Sequence, residues 1–219
     1  MSIARCVTVW GALVLSFSPF CMAQKADAAF VVGGAFVSDS NVVLTIPCAL
    51  PIPGCSPTPF NETVMTGSHI FFEGVGAFRV VNAKALSLHL EVPVAGIPSQ
   101  KVTFTGAFAL EPHQLSSVFI TPSLRVKLLP SSPISPWGSI GGGWAHYSSD
   151  VTPANNKGAL QFGGGLDFKT PIPHLAFRAE VRDFVTSQPD PGIFLFLVHP
   201  QGRLHHHSLL TGGGVVLAF

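Results

Sequence analysis

Eight stretches of the chain alternate apolar and polar residues: 29–38, 68–81, 85–95, 116–128, 136–148, 159–169, 174–185 and 208–219. In the seventh, Phe177, Ala179 and Val181 point one way and Arg178, Glu180 and Arg182 the other. In the fourth, Val118, Ile120, Leu124, Val126 and Leu128 alternate with Thr121, Ser123, Arg125 and Lys127. The third sets Leu86, Leu88, Leu90 and Val92 against Ser87, His89 and Glu91. The second sets Ile70, Phe72, Phe78 and Val80 against Glu73 and Arg79, and the sixth sets Leu160, Phe162, Leu166 and Phe168 against Gln161, Asp167 and Lys169. Period two with one wholly apolar face predicts β-strands. The face itself leaves two settings open. In a soluble sandwich it is the core; in a membrane barrel it meets lipid and the charges fill the lumen.

Length and connection pattern separate the two. The stretches run 10 to 14 residues, whereas strands of soluble proteins average roughly 5–6 and a tilted membrane strand needs about 9–11. Long connections (39–67, 96–115, 186–207) and the medium "SDVTPANNKG" interleave with the short "NAK", "LPSSPIS" and "TPIP". Long and short ends in alternation are the mark of an up-and-down membrane barrel. The expected fold is all-β: an eight-stranded antiparallel transmembrane β-barrel.

Composition supports that setting. The 219 residues are 47% hydrophobic and only 11% charged, against roughly 25% charged in ordinary soluble domains. Apart from the N-terminus, no apolar run reaches the about 20 residues of a spanning helix, which leaves a barrel or an unusually apolar exported β-domain. A net charge of +1 gives no case for nucleic acid. At the N-terminus, "MSIAR" followed by "CVTVWGALVLSFSPF" and "CMA" reads as a signal peptide over residues 1–23, cleaved after Ala23, with Ala28 as a second candidate. The barrel domain would then be residues 24–219. Of the four cysteines, Cys48 and Cys55 lie in "PCALPIPGC" and are expected to form a disulfide stapling a proline-rich loop.

Ten charges fall on the expected lumen face: Glu73, Arg79, Glu91, Arg125, Lys127, Asp167, Lys169, Arg178, Glu180 and Arg182. An eight-stranded lumen is narrow enough to be filled by side chains. Mixed charges packed there are expected to pair as a structural network, not a catalytic site. The recurring "VVGGAF", "SIGGGWA", "QFGGGLD" and "LTGGGVV" suit tight curvature. None continues as GxxxxGK[ST], so they do not read as a phosphate cradle.

The end of the chain carries a resemblance. Phe219 is a terminal aromatic, with Leu217, Val215 and Leu209 on alternate positions before it. With "GGGLDFKTPIPHLAFRAEVRDF", this resembles bacterial outer-membrane β-barrel proteins of the small porin-like, OmpA and OmpX type. The resemblance implies an outer-membrane location and Phe219, Leu217 and Val215 as an assembly signal. It also implies the barrel-assembly machinery, periplasmic chaperones and outer-membrane lipids as partners, with no cofactor and a monomeric state. Phenylalanines, Trp137 and Trp144 would form the interfacial girdles.

For function, the first reading is a structural or surface-interaction barrel acting through its loops. A narrow pore is a second. A third is a lipid A-acting hydrolase built on His206 and Ser208, two apart and so on one strand face, with Glu180 or Asp183 as the orienting acid. Metal capture by His199 and His205 to His207 is a fourth.

Overall fold

The alternating stretches close into a single sheet in the computed structural model, which describes residues 26–46, 58–106, 112–150, 154–187, 201–202 and 205–219. Every regular element among them is a strand. Eight staves make the wall. Stave I joins β1 (Ala26–Val37) and β2 (Ser40–Ile46); stave II joins β3 (Thr58–Thr66) and β4 (His69–Asn82). Stave III is β5 (Leu86–Gly106), and stave IV joins β6 (His113–Ile120) and β7 (Ser123–Leu128). Staves V, VI and VII are β8 (Ile134–Ser149), β9 (Asn155–Lys169) and β10 (Leu175–Thr186). Stave VIII joins β11 (Gln201–Gly202) and β12 (His206–Ala218).

Each stave pairs antiparallel with the next, and β12 pairs with both β10 and β1. Val215 is the rung partner of Phe30 on one side and of Phe177 on the other. The last strand thus closes the barrel against the first, leaving no open edge at the seam.

The strands are longer than the alternation predicts. The stretch 39–67, expected as a loop, contains β2 and β3, paired from Ser40↔Val64 to Ile46↔Thr58. Stave III runs on to Gly106, well past residue 95. The physical reason lies in the solvent. Beyond the lipid neither face must be apolar, so period-two hydrophobicity stops marking a strand although the ladder continues. The signal peptide and the Cys48–Cys55 pair lie outside the described residues.

The two faces separate as the pattern requires. Phe30, Phe72, Leu90, Ile140, Leu160, Phe162, Phe177, Val181 and Leu217 point outward and are exposed. That is a lipid-facing belt. The inward residues form two zones. Toward the short turns the lumen holds charged side chains. Toward the long connections it holds an apolar cluster that includes Val31, Phe71, Ile97, Phe119, Phe184 and Leu210.

Candidate functional site: the charged lumen and its aromatic cap

Strand parity delivers the charges to one place. On β10, Arg178, Glu180 and Arg182 are inward neighbours two apart and all buried. On β4 and β5, Glu73 and Glu91 face them from the other side and are 1% exposed. Arg182 is the hub. Its Nε lies 2.8 Å from Glu73 Oε1 and 3.3 Å from Glu180 Oε1, and its Nη1 donates to Glu91 Oε1 at 2.9 Å. Glu91 also pairs with Arg125 at 3.2 Å and accepts from the Ser123 hydroxyl at 3.0 Å. Nearer the short turns, Arg178 Nε donates to Asp167 Oδ1 at 2.8 Å and Lys127 Nζ to Asp167 Oδ2 at 2.7 Å. A lone buried charge costs several kcal/mol, roughly, whereas a network with its partners in place is tolerated.

Of the ten charges expected in the lumen, eight meet in this network. Arg79 shares the face but is half-buried and joins no ion pair among the described residues. Lys169 is exposed at the rim.

Three further residues join the ten expected charges' face and contact the network. Asp27 accepts two hydrogen bonds from Arg125 Nη2, at 2.9 and 2.8 Å. It lies two residues before the expected first strand, 29–38, yet continues the inward series Asp27, Ala29, Val31. Cleavage after Ala28 would remove it. His89 donates to or accepts from Ser87 Oγ at 3.0 Å and lies 3.7 Å from Asp27.

The third is Trp137. It was expected in an outer girdle with Trp144, but it lies inside the lumen, 5% exposed. Arg178, Arg182 and Arg125 stand over its ring at 4.8, 5.2 and 5.9 Å from the centroid. Residues 137 and 144 are an odd number of positions apart, so a regular strand sends them to opposite faces. Trp144 is accordingly outside, 46% exposed. The indole face supplies a negative quadrupole to the arginines between their carboxylates. Gly165 makes room for it, since a Cβ there would come within 2.8 Å of the indole.

Above the charges sits the cap. Phe119 and Phe184 stack at 4.6 Å, and the Tyr147 ring meets Phe119 edge-on at 6.1 Å. Phe71, Phe119 and Phe184 have no exposed surface. The Tyr147 hydroxyl is satisfied by Thr186 Oγ1 at 2.8 Å. The cap lies beyond the network along the lumen, on the side of the long connections.

The hydrolase reading fares differently. His206 and Ser208 do share the inward face, and both are buried. The acid is the difficulty. Asp183 turns outward to His207 Nδ1 at 2.8 Å, because its parity is opposite to that of Arg182. Glu180 sits opposite Gly212 and is held by Arg182. His206 Nδ1, where an orienting acid would bind, is buried with no partner among the described residues. Among the described residues, no group of three or more His, Cys, Asp or Glu could hold a metal ion.

The end of the chain keeps its alternation. Val215, Leu217 and Phe219 are exposed on the belt, while Val216 between them is buried.

No family model matches the sequence, and no curated protein matches it. Similarity to solved structures is found, and the first of those below shares the fold. Outer membrane protein OprG from Pseudomonas aeruginosa is 13% identical with a TM-score of 0.54, over 88% of this chain and 96% of that one. Neisserial surface protein A is 12% identical with a TM-score of 0.47, over 90% and 100%. Ail, the attachment invasion locus protein of Yersinia pestis, is 14% identical with a TM-score of 0.36, over 88% and 99%.

Proposed function

We propose that this chain, which has the fold of the bacterial outer-membrane β-barrels, is a non-conducting scaffold that acts in structure or surface interaction through its long-loop end. The observation that carries the reading is the set of large buried side chains that project into the lumen. The stacked Phe119 and Phe184 and the Arg182 network stand in series along the lumen. A rigid barrel of this kind serves as a mount for loops, and staves I to III run furthest toward the long connections.

In this reading the belt is covered by outer-membrane lipid and the barrel works as a monomer without a cofactor. The outward Val215, Leu217 and Phe219 would be the segment offered to periplasmic chaperones and the barrel-assembly machinery. Planar-bilayer recording tests the proposal directly. The folded protein is expected to give no discrete openings, and reproducible openings would replace this reading with the pore.

A further inference from the structure

The closing seam has an incomplete set of instructions in its sequence pattern. A slip of two residues along a strand leaves every side chain on its own face, and glycine-rich strands specify register weakly. Stave VIII carries Gly212, Gly213 and Gly214 in its middle. Its register must therefore be set by something other than the alternation. Close-packed glycines at the β1–β12 contact supply part of it.

The other part stands at the end of the seam. The β10–β12 ladder runs to Leu175↔Leu217, and the next rung would be His174 with Ala218. Ala218 N does donate to His174 O, at 2.9 Å. His174 has φ 67°, in the left-handed region where glycine or asparagine is the ordinary choice. The chain has already turned there. The bond to the Ala218 oxygen comes instead from the imidazole: Nδ1 lies 2.8 Å from it. A carbonyl can only accept, so Nδ1 carries the proton. On the opposite side, Phe219 N donates to Ala26 O at 2.8 Å.

We infer that His174 is the register lock of the barrel: its imidazole replaces a missing backbone donor, completes the terminal rung and fixes where Phe219 comes to rest. It is a positioning residue, acting on the last strand through Ala218.

Cross-linking across the seam tests this. In a chain with its own cysteines changed to serine, Ala28→Cys with Leu217→Cys reports the native register, because those residues are rung partners. Ala28→Cys with Val215→Cys reports a two-residue slip. Substituting His174→Gly keeps the backbone angle and removes the imidazole. It is expected to shift the ratio of native to slipped cross-link about fivefold toward slip, the worth of one net hydrogen bond. His174→Asn, which tolerates the angle and offers an amide donor, should restore most of the ratio. A ratio unchanged in His174→Gly would overturn the inference. So would a His174→Asn variant that folds but slips as far as His174→Gly, since the lost donor would then not be the cause.

Discussion

Arg182 and Glu73 meet at 2.8 Å inside the lumen, from staves that share no ladder. Their contact, repeated by Glu91 and Glu180 around the same guanidinium, ties staves II, III and VII together through the interior. The wall hydrogen bonds join only neighbours, so this network supplies cross-bracing that the sheet lacks.

Removing the hub should therefore cost far more than removing one spoke. Arg182→Met would leave three buried carboxylates without their shared cation. The loss is expected to be about 3–5 kcal/mol. Urea unfolding of the folded barrel in vesicles, followed by the mobility shift of unboiled samples, measures it. Glu73→Gln should cost clearly less, because Glu91 and Glu180 remain on Arg182.

Trp137 offers an independent check on the interior. Trp137→Ala takes away both the packed indole and the face over which three arginines stand. A loss of about 3–5 kcal/mol is expected from the lost burial and the cavity together. Trp144→Ala, on the belt, should change stability little by comparison. If the two variants unfold alike, the placement of Trp137 in the lumen is wrong.

How far these features could be read from the chain depends on what surrounds each residue. Where one face meets lipid and the other a packed lumen, alternation is forced, and Arg178, Glu180 and Arg182 could be placed by parity alone. Beyond the lipid that constraint lapses, and β2 and β3 looked like a loop. Asp27 precedes the first clear alternation, in a short small-residue motif that reads equally as a cleavage site and as the start of a strand. Trp137 and Trp144 are seven residues apart, so parity puts only one of them on the belt. No parity argument could supply the partner of Arg182, because that depends on which staves face one another across a closed barrel.

The cap predicts a gain of function. Phe119→Ala with Phe184→Ala removes the stacked pair at the centre of the apolar zone. Bilayer recordings of this double variant are expected to show noisy openings that the native chain lacks. If the variant folds and still passes no current, the charged network alone seals the lumen, and adding Trp137→Ala should open it.

The glycines divide into two groups that mutation should separate. At the seam, a Cβ on Gly212 would lie 2.7 Å from the Val32 carbonyl oxygen and 2.9 Å from the Phe71 ring. Gly214 is tighter still against the Phe30 carbonyl. Backbone there belongs to the paired strand and cannot yield without opening the ladder. Gly74 and Gly76 on β4 face outward, and a Cβ at either would meet nothing within 4 Å. Gly214→Val is therefore expected to block folding, seen as loss of the fast-migrating form on an unboiled gel. Gly74→Ala should fold normally and gain about 0.4–1 kcal/mol, because it restricts the unfolded chain and adds no clash. Both outcomes follow from the same statement, that side chains are excluded at the closing contact and welcome on the belt. A Gly214→Val chain that folds as well as Gly74→Ala would mean that β1 and β12 do not approach as closely as described.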